Sequence, residues 1–325
     1  FWDGNRAWLL RRGFALYSFE DIPPGRKLSF ADGKKWCTPK NAPPSEPVVL
    51  PWAKHVRGVQ RPTFRLWVRL LLRPCTSSHD ARPQYHIAPA RDFSGRDLIL
   101  KPIARDSREY AICKFLLTAA DYTDPSTFPC IIPPLAVLDT PYDYSILCMP
   151  RWSEVTWLDD VETPREFICL AICLLRGLDF LHSHRIAHRD IVPCNMLANC
   201  YRPDDDDDDV LRADLRERRG RGDCENILAL MDFDKSILLP PNTSLINCRR
   251  PSLEATGDGF FAPDDIDYGA PYYNPFAYDV ATLGGIFRYC YADMASVVPS
   301  FAPLFDRMTT HLMRERFTVE ELCAS

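Results

Sequence analysis

The stretch "HRDIVPCNML", His188 to Leu197, sets a basic pair, a carboxylate and, five residues later, an asparagine between apolar flanks. Those flanks, "GLDFLHSHRIA" before and "NMLA" after, read as buried structure. Polar groups in such a setting are costly unless each finds a partner. Two arrangements would satisfy them. In one, Asp190 and Asn195 form a tight turn and Arg189 pairs locally. In the other, Asp190 accepts a proton while Asn195 holds a metal on a nucleotide phosphate. The helix leading into the stretch is well specified. "TPREFICLAICLLRGLDFLHSH" opens with Thr163, Pro164 and Glu166, a Thr-x-x-Glu capping box with proline at the first helical position.

A chain of 325 residues can bury a large core, as one two-lobed domain or two smaller ones. Its net charge of −5 leaves no basic footprint for nucleic acid. The longest apolar run, "FICLAICLLRGLDFLH", is interrupted by Arg176 and Asp179 and falls short of the roughly 18 residues that span a bilayer. Neither nucleic acid nor a membrane is therefore expected as a partner. The thirteen cysteines are scattered and include no CxxC pair. That pattern suits reduced, buried thiols better than a disulfide or zinc framework. An intracellular setting, cytoplasmic or nuclear, is the expectation.

Residues 1–83 read as a partly irregular N-terminal extension, in which "PKNAPPSEPVVLP" is too rich in proline for helix. Within it, "FRLWVRLLL" (64–72) is a candidate strand or short helix. From residue 84 the pattern tightens. "QYHIAPARDFSGRDLILKPI" reads as two strands around a turn containing Gly95, "SREYAICKFLLTA" as a helix, and "LAVLDTPYDYSILCM" as a hairpin. Later helices are expected in "PFAYDVATLGGIFRYCYADM", "FAPLFDRMTTHLM" and "TVEELCAS". A small antiparallel sheet with one helix, followed by a helical part, defines an α+β class. Between "NMLA" and "ILALM" lies an acidic block followed by a basic one, residues 201–224, too charged to form a core and expected to be a solvated insertion.

The motifs, taken in order, resemble the protein-kinase superfamily. "HRDIVPCN" is similar to its catalytic loop, "LILK" to the strand bearing the phosphate-binding lysine, and "ILALMDFDKS" to the strand and turn that bind metal. "YNPFAYDVATLG" resembles the start of its central helix and "RERFTVEEL" its closing Arg-containing helix. The phrases "GRDLILK", "LMDFDKSI" and "NPFAYDV" look closest to the kinase-like families expanded in fungi. The resemblance implies a bilobal fold, with a small antiparallel-sheet N-lobe over 84–150 and a mainly helical C-lobe over 151–325. It implies ATP and Mg²⁺ as cofactors and transfer of a phosphoryl group to Ser or Thr hydroxyls of a protein substrate. Asp190 would be the base, Asn195 and Asp232 the metal ligands, and Lys101 the phosphate contact, paired with Glu109. Residues 147–151, including Met149, would form the hinge against the adenine. Asp279 reads most simply as a helix N-cap; the resemblance gives it the catalytic-loop backbone to hold. Ser252, preceded by "RRP", falls where the family has its activation segment, with Arg189 as the cation for a phosphate there.

Four departures bear on activity. No Gly-x-Gly-x-x-Gly precedes Lys101, Asp234 stands where the family has glycine, and no Ala-Pro-Glu segment is present. Asp264 is the better remnant carboxylate to meet Arg316, and little chain separates Asp279 from Arg316 for a peptide-docking helix. Two alternatives therefore stand beside the protein kinase: a pseudokinase that binds nucleotide without turnover, and a small-molecule kinase of similar fold.

Overall fold

A computed structural model describes residues 1–21, 34–37, 87–124, 127–154, 161–199, 227–255 and most of 261–324. Alternating short runs in the N-terminal half pair into an antiparallel sheet. β1 (Phe14–Leu16) follows helix α1 (Trp2–Leu10). A separate ribbon joins β2 (Ser18–Asp21) to β3 (Lys34–Cys37). β4 (Ala88–Asp92) and β5 (Asp97–Ala104) turn through Gly95, whose φ of +80° suits a residue without Cβ. Helix α2 (Arg108–Ala119) begins at Ser107, whose Oγ accepts from Tyr110 N at 3.1 Å. β6 (Ala136–Asp139) and β7 (Tyr144–Pro150) complete the sheet in the order β1-β4-β5-β7-β6. The edge strand β1 comes from the stretch read as an extension, and pairs Leu16 with Ala90 across a long excursion of the chain.

The stretch expected as the hinge, 147–151, is mostly strand. Leu147 to Pro150 belong to β7, where Met149 lies opposite Ile99 and Leu98 opposite Pro150. The chain leaves the sheet only at Arg151, whose N–H donates to Asp97 O at 3.1 Å. It then forms β8 (Ser153–Glu154), which already pairs with a strand of the C-terminal half.

That half is mostly helical. α3 (Pro164–Ser183) carries the expected capping box: Thr163 Oγ1 accepts from Glu166 N at 3.3 Å, and Glu166 Oε2 from Thr163 N at 3.1 Å. Beyond α3 come β9 (Ile186–Ala187), β10 (Met196–Ala198), β11 (Leu228–Leu230) and β12 (Ile237–Leu238). They form two small antiparallel units, β8-β10-β11 and β9-β12. The hairpin β13 (Arg250–Pro251) with β14 (Tyr272–Tyr273) precedes the buried helix α4 (Pro275–Tyr291). α5 (Phe301–Thr309) and α6 (Val319–Ala324) follow.

Phe167 of α3 anchors this core, with ring centroids of Phe287, Tyr291, Phe301 and Phe305 between 4.9 and 5.7 Å away. α3 approaches its neighbour so closely that a Cβ on Gly177 would lie 2.6 Å from Cys130 O, so only glycine fits there. Among the described residues no helix is long and apolar enough to cross a membrane. The fold is therefore α+β, sheet-rich in the N-terminal half and helical in the C-terminal half. Residues 64–72, the insertion 201–224 and Asp264 lie outside the described residues.

Candidate functional site

Lys101 stands in the middle of β5, a strand whose other positions are mostly buried. Its Nζ donates to Glu109 Oε1 and to Asp232 Oδ1, each at 2.7 Å. Only eight residues separate Lys101 from Glu109. The distance closes because α2 starts at Arg108, so Glu109 in its first turn folds back over the strand. Asp232 comes from the other half of the chain, just past the end of β11. Its φ of +68° is a left-handed conformation that a non-glycine residue adopts only under constraint.

The constraint comes from the stretch that connects β9 to β10. Met231 N donates to Asn195 O at 2.9 Å, and the His188 ring Nε2 lies 2.9 Å from Met231 O. The loop is in turn held from below by Asp279. This carboxylate is fully buried and takes His188 N at 2.7 Å, Arg189 N at 2.6 Å and the His182 ring at 3.0 Å. Asp279 is therefore not the helix cap. Asn274 caps α4 instead, its Oδ1 accepting from Phe276 N at 3.0 Å, with Pro275 at the first helical position. Two successive amides bound by one carboxylate fix Arg189 at φ +67° and aim Asp190 into the cleft.

Asp190 has two partners of its own. Asn195 Nδ2 donates to its Oδ2 at 3.0 Å and to its main-chain O at 2.9 Å. Lys235 Nζ donates to its Oδ1 at 3.1 Å. With its amide nitrogen committed to Asp190, Asn195 presents its oxygen to any cation. Reading the sequence singled out Asp190, Asn195, Asp232, Lys101 and Glu109 but missed Lys235. The signal was there: a cation three residues beyond Asp232 in "DFDKS", and none between Asp190 and Asn195.

The electrostatics follow from the pairing. Burial pushes the Lys101 ammonium down, but Asp232 and Glu109 outweigh it and hold its pKa above an ordinary lysine's. Burial pushes the Asp232 carboxyl up; Lys101 overrides it and holds the group below the usual carboxylate range. For Glu109 burial wins over Lys101, and its pKa is raised. Asp234 is raised as well, by loss of water and then by the neighbouring Asp232 carboxylate. Among the described residues no group of three or more His, Cys, Asp or Glu side chains forms a metal cluster. The available oxygen donors are sparser: the ionised Asp232 and the Asn195 amide. That hard, sparse set fits Mg²⁺, which keeps much of its water and takes one or two carboxylates.

Two other expectations meet the structure nearby. Arg316 Nη1 donates to Ala277 O at 3.1 Å and its Nε to Thr310 O at 3.0 Å. Arg189 Nη2 donates to Glu254 O, and Glu254's carboxylate takes Arg250 at 2.7 Å; Ser252 Oγ donates to Ala270 O. Arg189 thus already touches the segment that a phosphate on Ser252 was expected to bring to it. A cavity of about 460 Å³ opens elsewhere, between α3, α4 and α6. Its lining mixes Asp179, Glu320 and Glu321 with Arg185, Arg307, Arg314 and Arg316. The cleft around Lys101 and Asp190 is the candidate site. Compared with models of known protein families, the chain matches none.

Proposed function

We propose that the chain is an ATP-dependent phosphotransferase of the protein-kinase type, bilobal in architecture, moving the γ-phosphoryl group to a Ser or Thr hydroxyl of a protein inside the cell. One observation carries the reading: a single lysine from the sheet half joins carboxylates 8 and 131 residues away, at 2.7 Å each, beside a paired aspartate and asparagine. Phosphoryl transfer needs positioning, positive charge against the phosphates and a group on the acceptor hydroxyl. Lys101, steered by Glu109, is the cation for the phosphates of ATP. Asp232 and Asn195 would hold Mg²⁺, which when bound supplies charge neutralisation on those phosphates. Asp190 orients the acceptor hydroxyl and takes its proton. Asn195, at 3.0 Å, fixes the carboxylate's rotation. Among the described side chains of the cleft, Lys101 and Lys235 face Glu109, Asp190, Asp232 and Asp234, an excess of negative charge that a divalent cation offsets.

The test is nucleotide binding by titration of ATP with and without Mg²⁺, followed by transfer of label from [γ-³²P]ATP to casein and to the chain itself. Mg²⁺-dependent binding with transfer is the expected outcome. Binding without transfer to any acceptor assigns the chain to a nucleotide-binding module instead, and absence of both rejects the reading.

A further inference from the structure

We propose that Lys235 is a further catalytic residue, its ammonium shared between the Asp190 carboxylate and the phosphoryl group in transfer. The inference rests on the phosphotransfer reading. As phosphorus leaves ADP for the acceptor oxygen, negative charge spreads over the three equatorial oxygens of the phosphoryl group and builds on the leaving oxygen. Lys101 serves the leaving side, and its ammonium is tied to both Glu109 and Asp232 at 2.7 Å. Between Asp190 and Asn195 the loop offers no cation, only Ile191, Val192, Pro193 and Cys194, and Arg189 is turned to Glu254 O.

Lys235 meets that need from outside the loop. It extends from the residue after Asp234 and brings Nζ to 3.1 Å from Asp190 Oδ1. Its side chain is 40% exposed, against 17% for Lys101. Three N–H donors on a partly solvated stem let it keep one bond to Asp190 and turn another onto a phosphoryl oxygen. A buried, fully committed lysine could not. In the step itself, the acceptor oxygen bonds to phosphorus and the bond from phosphorus to the bridging oxygen breaks, its electron pair leaving with ADP. The acceptor proton passes to Asp190, and Lys235 neither gains nor loses one. The competing account makes Lys235 an ordinary surface ion pair, without effect on turnover.

The accounts separate on a kcat-against-binding split. Lys235→Ala should lower kcat about 100-fold, as loss of one preorganised donor to a transition state does. The Kd for ATP in the presence of Mg²⁺ should stay within about twofold, because the contact strengthens only in the transition state. Lys235→Arg should recover part of the loss, and methylammonium added to Lys235→Ala should recover some as well. Turnover by Lys235→Ala within about threefold of the unaltered protein overturns the role, and so does a loss no cation rescues. Asp190→Asn run in parallel keeps the two claims apart. If it is inactive while Lys235→Ala is not, phosphotransfer stands and Lys235 falls. If the unaltered protein transfers no label to casein, to itself or to water, both fall.

Discussion

Asp279 offers the sharpest test of how the His188–Asn195 stretch is held, and the test is independent of any activity. The carboxylate is fully buried and accepts two successive main-chain amides, His188 N and Arg189 N, at 2.7 and 2.6 Å. In Asp279→Ala both amides lose their acceptor in a site that water does not reach, at about 2 kcal/mol each. Arg189 then relaxes from its left-handed φ and returns about 1 kcal/mol, so the net loss is about 3 kcal/mol. Asp279→Asn keeps one oxygen but loses the charge and turns a donor toward one amide; about 2 kcal/mol is expected. Urea titrations at unchanged m-value give both numbers. Amide exchange at His188 and Arg189 should accelerate in the same variants while that of β5 and β7 does not. A loss below about 1 kcal/mol in Asp279→Ala would mean the amides find other partners, and the clamp would be decoration.

Asp190→Asn should abolish phosphoryl transfer while leaving ATP binding nearly intact, whereas Asp232→Asn should weaken Mg²⁺-dependent binding as well; unchanged turnover in both rejects the assignment. Burial raises the Tyr17 phenol from 10.0 to about 12, so its linked stability is fully present below pH 10 and is lost as pH rises toward 12. Tyr17→Phe, which also removes the 2.5 Å bond to Asp97, should therefore lose roughly 2 kcal/mol at neutral pH and fall less steeply than the unaltered protein above pH 10; parallel alkaline slopes would contradict this. Replacing residues 201–224 by a short Gly/Ser linker should shift Tm by no more than about 2 °C, because Asn199 and Ile227 already close the hairpin with bonds of 3.0 and 3.1 Å; loss of folding would show that the block is packed.

Local patterns carried most of what the sequence disclosed. The capping box at Thr163 to Glu166 and the strand-turn-strand around Gly95 need only neighbouring residues, and both are where the pattern puts them. Lys101, Glu109, Asp190, Asn195 and Asp232 were singled out by motif order; the structure bonds Lys101 to Glu109 and Asp232, and Asn195 to Asp190. Three features were not legible from local pattern, for one physical reason: each is decided by partners far along the chain, and for Asp279 only the family resemblance named the backbone it holds. β1 is three residues long and becomes a strand only by pairing with β4. β7 runs on through Leu147 to Pro150 because these residues pair with β5, and nothing local marks where that ladder ends. Asp279 looked like a cap because it opens an apolar helix, although Asn274 with Pro275 was the stronger local signal. Its true partners lie about ninety residues away.

The cleft pairs groups whose proton affinities oppose one another, and this sets what pH can do to it. Asp232 has a depressed pKa, so its contribution to stability is present above the ordinary carboxylate value and is lost as pH falls through the lower, folded value. Lys101 has a raised pKa, so its contribution is complete below the ordinary lysine value near 10.5 and is lost as pH rises from there through the folded value. The bridge between the two halves of the chain is therefore ionised across the whole neutral range. Glu109 runs the other way. Its raised pKa means the folded state favours its protonated form, a contribution present below about 4.5 and lost as pH rises. At 2.7 Å from a lysine that Asp232 also holds at 2.7 Å, Glu109 is a second anchor that fixes where that ammonium stands.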